Sequence, residues 1–368
     1  MSRRRARVQR ILLSTQKAFA LLLVGAGLLL QNFTRLLSRD VGIREENLWV
    51  LDATLPHRYG DDERRRLIWR DALLQIRALS GLDATALVAY GAPLTGNDFL
   101  RSEIVHAEAP PSGEREGERF SVRRVSGDYF RTLGIPLLAG RPVDDGDHQG
   151  TDQVVVLNER AAAMLWPGQT AVGRRLRIED EEKTVVGLLP DFLHTRIDTD
   201  VSPQMYESYL QPAENMDGAS FLLRPRDIST GPVDAAKAVL LRMEPDMTLQ
   251  VSTVSERRWT LLASQRFRAV VVGVFAAGAF VLALLGLVGV ISYNVAQRRK
   301  ELALRVVLGA QPRDVAPVTL QHAIVPVATG VAVGLVGALV LSSILESLLV
   351  DMSAVDVPTL AAAVLVLV

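Results

Sequence analysis

Few residues in this 368-residue chain could do chemistry. There is no cysteine, which removes disulfides, thiolate metal sites and a cysteine nucleophile. The five histidines, His57, His106, His148, His194 and His322, are scattered and lack metal-ligand spacing. No G-x-x-x-x-G-K-[ST] occurs, so no P-loop holds nucleotide phosphates. G-x-S-x-G and H-E-x-x-H are also absent. Gly25-Ala26-Gly27 lacks the third glycine of a dinucleotide fingerprint and lies in an apolar run. Asp145, Asp147, Gln149 and Gly150 match the start of an EF-hand-like loop, but Val156 stands where a bidentate Glu is required. That stretch reads as a solvated acidic turn. No catalytic, cofactor or metal site is expected, and the chain does not read as an enzyme.

One charged cluster stands out: Arg298, Arg299, Lys300, Glu301 and Arg305, followed by Gly309, Ala310 and Arg313. It comes directly after Ala269 to Gln297, which contains no Asp, Glu, Lys or Arg. An uncharged run longer than the ~20 residues a helix needs reads as a membrane span. Basic residues at its end mark the cytoplasmic side. The cluster then has two readings. It presses on a cytoplasmic partner and carries motion into the span, or it only fixes topology and meets anionic lipid heads. A further apolar run, 315–345, follows. In it Gly330 and Gly334 form a G-x-x-x-G, with Gly337 one turn on, which permits close helix packing. Glycine is also common in spans without such a role. His322 lies near the cytoplasmic end of this run, within reach of headgroups.

The elements that position this cluster follow from composition. Lys plus Arg equals Asp plus Glu at 41 each, which argues against a nucleic-acid binder. The mean hydropathy of +0.20 averages two kinds of sequence. Residues 45–265 are polar and charged; 18–34 and 269–368 are mostly apolar. Six basic residues precede an uncharged run from Ala18 to Thr34. No small-x-small cleavage site follows, so an uncleaved anchor with a cytoplasmic N-terminus is expected rather than a signal peptide.

Within 45–265, strands are expected at Asn47–Leu55 and Ala84–Tyr90, around a helix from Asp61 to Leu79. Ile68, Ala72, Ile76 and Leu79 fall on one face of that helix. A second β-α-β unit is expected from Ser220–Leu223, Val233–Met243 and Thr248–Val254. Between the two units, Phe99–Ala107, Arg119–Val125, Gln153–Leu157 and Lys183–Leu189 read as strands. Asn158 can cap a helix from Glu159 to Leu165. Pro110 to Glu118 reads as a solvated, mobile loop. A helix from Ser255 to Arg268 should enter the uncharged run without a linker. The apolar run from Val357 reaches only Val368, so the native gene is expected to continue by at least half a helix.

This order of parts resembles the FtsX-like permease family with a MacB-type periplasmic core domain, and the resemblance covers nearly the whole chain. Arg298-Arg299-Lys300-Glu301-Leu302-Ala303-Leu304-Arg305, then Leu308-Gly309-Ala310, looks like the family's signature after the second span. Ala303 stands where the family usually has Gly, and Val307 where a small residue is common. Val125-Ser126-Gly127-Asp128-Tyr129-Phe130, with Leu133-Gly134-Ile135 and Gly140-Arg141, looks like its periplasmic signature. Asn158-Glu159, Trp166-Pro167-Gly168 and Val172-Gly173-Arg174 are similar to the next block.

The resemblance implies an α+β membrane protein with a four-helix transmembrane module and a two-lobed periplasmic domain. The expected parts are a cytoplasmic N-terminus (1–17), helix 1 (18–37) and the periplasmic domain (45–265). Within that domain, 45–95 and 218–265 form a paired β-α-β lobe and 96–217 an inserted lobe. Then come helix 2 (269–297), a cytoplasmic coupling turn (298–314), helix 3 (315–345) and the start of helix 4 (357–368). The implied function is a permease of an ABC-type exporter in a bacterial inner membrane, working by mechanotransmission. ATP would be bound by a separate or fused ATPase, and a second permease module would complete a homo- or heterodimer. Arg298, Arg299, Lys300, Glu301, Arg305 and Gly309 would couple to that ATPase. The start of the chain resembles the second half of duplicated permeases, which a fragment or split gene would fit. Two alternatives remain: a non-transport regulator or scaffold of a cell-envelope enzyme, and an inactive half-permease. Nothing in the residues selects a substrate.

Overall fold

The computed structural model describes residues 33–307, apart from 90, 97–100, 108–117, 179–180, 198 and 213–215. The expected N-terminal anchor up to 32, most of the loop Pro110 to Glu118, and everything from 308 onward lie outside the described residues. The chain divides into a unit of residues 39–261 and a unit of 1–38 with 262–368.

The first unit is built on β1 (Trp49–Thr54), α1 (Asp62–Arg77) and β2 (Leu82–Ala89). Its far end supplies β10 (Gly218–Pro225), α4 (Gly231–Met243) and β11 (Thr248–Thr253). The two β-α-β units interleave: the strand order is β11-β1-β10-β2, and every neighbouring pair is antiparallel. Neither unit could bury its own strands without the other. Asp61 caps α1, its carboxylate accepting from the Glu63 amide at 3.1 Å. The inward face of α1 is Arg66, Trp69, Ala72, Leu73 and Ile76. Of the expected face, Ala72 and Ile76 are buried, and Ile68 and Leu79 pack partly buried against the same core. Trp69 widens that face: it is fully buried, packs edge-on to Phe221 and donates its indole N–H to the Met216 carbonyl. Burying so large a ring stabilises the fold by roughly 3 kcal/mol or more, which outweighs an isoleucine at the margin.

Residues 101–208 add β3 (Arg101–Ala107), β4 (Glu118–Val125), α2 (Tyr129–Leu133), β5 (Ala139–Gly140) and β6 (Val154–Asn158). They also add α3 (Glu159–Leu165), β7 (Arg175–Ile178), β8 (Glu181–Leu189) and β9 (Gln204–Ser208). The order β4-β3-β7-β8-β6-β9 closes on itself, because β9 also pairs in parallel with β4. Six strands therefore form a ring, which leaves no open edge among them. Its core holds Phe120, Val122, Leu157, Trp166, Val185 and Met205. β4 joins ring and interleaved sheet: Val125 and Arg124 pair with Val88 and Ala89 of β2. Asn158 caps α3 by accepting from the Ala161 amide, as its position predicts.

One end of the ring holds charge. Glu207 is fully buried, accepts from the Lys183 ammonium and lies 3.3 Å from Arg124. Removing one partner of such a set costs about 3–5 kcal/mol, because the others stay buried. Gly140 and Gly187 close the adjacent crossing. A Cβ on Gly140 would meet the Val186 carbonyl at 2.0 Å, and one on Gly187 the Arg141 carbonyl at 2.2 Å.

The acidic turn is exposed as expected at Asp145, Gln149 and Gly150, and Asp147 is the exception. Arg141 grips Asp147 with two bonds of 2.7 Å, and Asp147 is 5% exposed. Burial would raise the Asp147 carboxyl, but Arg141 outweighs it and holds the group below its ordinary value. Asp145 pairs with Arg77, and Gln149 accepts from Arg66. Among the described residues, no cluster of His, Asp or Glu is placed to hold a metal ion.

The second unit contains most of α5 (Val254–Val307), a 54-residue helix that starts in the first unit. The uncharged run Ala269 to Gln297 lies in this helix. Among the described residues, no helix is long and apolar enough to cross a membrane. Several side chains of α5, from 276 onward, are not described. The span therefore rests on the sequence alone.

The periplasmic-signature residues pack around a buried imidazole. The Tyr129 hydroxyl lies 2.6 Å from His194 Nε2, with Phe192 and Tyr206 against the ring. Burial pushes the His194 pKa well below its ordinary value, and Arg123 adds to this. Below pH ~6.5 the unfolded chain binds a proton that the folded ring refuses. The folded form is thus favoured above pH ~6.5 and loses stability as pH falls, by at most ~1.4 kcal/mol per unit from this group. Thermal melting of the first unit, followed by tryptophan fluorescence between pH 7.5 and 5.5, should show that loss. His194→Gln should flatten it; an equal slope in parent and variant would remove His194 as the cause.

Candidate functional site

Two segments of the first unit lead toward the apolar sequences: the strap 39–48 and the first turns of α5. The structure brings them together on one edge of the interleaved sheet. β11 ends at Thr253 and α5 begins at Val254, with no residue between. A capping box makes that junction. The Thr253 hydroxyl accepts from the Glu256 amide at 3.0 Å, and the Glu256 carboxylate accepts from the Thr253 amide at 2.8 Å. The Val254 amide donates to the Leu48 carbonyl at 3.0 Å, which ties the helix start to the strap.

Arginines complete the junction. Arg257 pairs with Asp52 on β1 and donates to the Ser252 hydroxyl at 2.8 Å. Asp52 also accepts from Ser220 on β10, so the pair spans β1, β10 and β11. Arg258 pairs with Glu45 and donates to the Arg39 carbonyl at 2.7 Å. Both residues of the Arg258–Glu45 pair are less than a fifth exposed. Such a pair is screened less than a surface one.

The strap is held from its other side by Arg224 of β10. Its guanidinium donates to the carbonyls of Thr132, Arg44 and Glu46, joining the strap to α2. Burial lowers the Arg224 pKa, and Arg44 nearby adds to it. Arginine still remains charged, and its planar fork reaches several carbonyls where a lysine would reach fewer. Leu133 accepts from the Arg44 amide, and Val41 accepts from the Leu193 amide. Asn47 takes a positive φ of 50° and donates to Pro225 and Asp227. Gly42, at φ 77°, lies where a Cβ would meet the Phe192 Cβ at 2.8 Å. This junction can do no covalent chemistry. What it does is tie the first turns of α5 and the strap to the sheet edge.

The expected coupling residues lie elsewhere. Arg298, Arg299, Lys300, Glu301 and Arg305 are all helical residues of α5, which continues through Val307. Their side chains, Gly309, and the packing glycines Gly330, Gly334 and Gly337 lie outside the described residues. Sequence reasoning missed Arg224 and the strap. The box Thr253-x-x-Glu256 was a readable signal of the helix start. Nothing local marked Arg224, whose partners are 92 to 180 positions away.

Comparison with known proteins gives two family matches. The MacB-like periplasmic core domain matches residues 20–244, and the FtsX-like permease C-terminal region matches 273–368. The macrolide export ATP-binding/permease protein MacB of Chromobacterium violaceum is 26% identical over 220 residues, covering 58% of this chain and 34% of that protein. Its namesake in Agrobacterium fabrum is 24% identical over 245 residues, covering 65% and 38%. The chain thus spans about a third of the length of the curated relatives it matches. The periplasmic region of MacB from Actinobacillus actinomycetemcomitans overlaps 62% of this chain and 97% of its own, at 15% identity and a TM-score of 0.44. The extracellular domain of the transporter YknZ from Gram-positive bacteria covers 55% and 99%, at 11% identity and a TM-score of 0.37.

The junction predicts unequal costs. Arg224→Met takes a donor from the buried Thr132 carbonyl and from the part-buried Arg44 and Glu46 carbonyls and should cost about 3 kcal/mol of first-unit stability. Arg58→Met removes a pair with the largely exposed Asp246 and one with the buried Glu244, which keeps its bond from the Tyr59 hydroxyl, and should cost less. Melting temperatures of the two variants, measured side by side, check this order.

Proposed function

We propose that this chain, which belongs to the FtsX-like permeases with a MacB-like periplasmic core domain, is the permease of an ABC-type export system. It sits in a bacterial inner membrane, with residues 39–261 in the periplasm and Arg298 to Arg305 in the cytoplasm. The asymmetry of basic residues around the run 269–297 supports that orientation. An ATPase, separate or fused, binds at the basic segment, and a second permease module completes the assembly. The relatives named as ATP-binding/permease proteins support this partner.

Mechanotransmission is the mechanism we infer. One observation carries it: α5 has no break between the capping box at Thr253 and the basic segment. An α-helix is stiff along its axis, and kinks arise at identifiable sites such as proline. Residues 254–307 contain no proline. A displacement of the cytoplasmic end would therefore reach the sheet. There Arg257 and Arg258 share it with β1, β10 and the strap. Substrate need not pass between these helices; the periplasmic unit can act on it directly.

Glu301 and Arg305 are four residues apart on α5, a spacing worth ~0.3–0.5 kcal/mol at most. That is too small to decide folding. A charge reversal against a partner surface opposes like charges and costs several kcal/mol of binding. Glu301→Lys and Arg305→Glu should therefore lower ATPase copurification and permease-stimulated turnover while leaving expression near the parent level. Replacing Glu114 and Glu116 in the periplasmic loop should change neither. Unchanged copurification and turnover in the first two variants would reduce Arg298 to Arg305 to topology anchors.

A further inference from the structure

Arg266, Phe267 and Arg268 are consecutive, and all three are exposed on α5. Phe267 is 70% exposed, which is unusual for a large apolar ring beside two charges. No carboxylate lies on α5 between Glu256 and Glu301, so neither arginine has an acidic residue one turn away. Neither makes an ion pair among the described residues; Arg257 and Arg258, two to three turns earlier, both do. The uncharged run begins at the next residue, Ala269, and continues with Val270, Val274 and Phe275, each more than half exposed. Two guanidinium groups without an acidic partner among the described residues, and an aromatic ring, therefore sit where sequence polarity ends.

These arginines are also on the unfavoured side. Basic residues concentrate on the cytoplasmic flank of a span, so a periplasmic pair needs another cause. Arginine presents a planar fork that matches phosphate oxygens, and an aromatic ring is favoured at the headgroup level. We propose that Arg266 and Arg268, with Phe267 between them, form a headgroup site for anionic phospholipid in the outer leaflet of the inner membrane. The charge complementarity and the continuity with the run from Ala269 select a phospholipid over a protein partner. The inference rests on the reading of 269–297 as a span. Functionally it sets the resting depth of α5 in the bilayer.

The test uses the full chain purified with bilayer lipid. Native mass spectrometry would count retained phosphatidylglycerol and phosphatidylcholine on the parent and on R266Q/R268Q. Arg298, Arg299 and Lys300 are unchanged in both, so the difference reports the outer pair. We expect the parent to prefer phosphatidylglycerol, and the variant to lose roughly fivefold in that preference per arginine removed. Equal retention by parent and variant overturns the site, as does a parent without preference. A spin label at Val274→Cys, probed for oxygen and for water-soluble relaxant, separates the two failures. If that label is in hydrocarbon and retention is unchanged, the headgroup site falls and the span stands. If the label is in water, the span falls and the site with it.

Discussion

The junction between β11 and α5 is the constraint on which the rest depends. No residue separates Thr253 from Val254, so the last strand and the long helix share one backbone direction change. The capping box satisfies amides that a helix start otherwise leaves bare, and the Leu48 carbonyl takes another. The arginines then extend this junction sideways. Arg257 reaches β1 through Asp52, Arg258 reaches the strap through Glu45, and Arg224 holds the strap against α2. The sheet edge thus holds both segments that lead out of the unit.

The interleaved sheet supplies the rigidity behind that edge. β10 lies between β1 and β2, and β1 lies between β10 and β11. No single β-α-β unit can shift without breaking ladders to the other. β4 carries this into the ring, because one edge of it pairs with both β2 and β3. The charged set of Arg124, Lys183 and Glu207 sits on three ring strands and fixes their register. Such groups are weak evidence for stability, and fixing a register is their best-attested use. Arg124 faces Glu207 directly in the β4–β9 pairing, which suits that role here.

Elements with a clean period or a cap were legible in the sequence. β1, α1, β2, α3, β10, α4 and β11 all fall within a few residues of their expected ranges. β9 was not legible. Gln204, Glu207 and Ser208 are polar, and nothing local shows that all five of its residues are buried. Their burial depends on Lys183, Asn158 and Phe192, distant in the chain. α2 was hidden for a different reason: five residues are too few for a helical period, although Gly134 in the left-handed region marks its end. The expected stripe of α1 does lie on the core, but a period fixes a stripe only to within one residue, so the buried Trp69 and Leu73 beside it were not legible. The junction was half legible: the helix start could be read from Thr253 and Glu256, while the arginine contacts needed the fold.

The proposed mechanism has displacement along α5 reach the sheet. The direct measurement places an environment-sensitive label at Leu67, which is exposed on α1, in the permease assembled with its ATPase. Nucleotide is then added, with and without four glycines inserted between Leu261 and Leu262. Nucleotide should change the label's signal in the parent and not in the insertion variant, while the ATPase copurifies equally with both. A nucleotide response that survives the glycine insertion would contradict it.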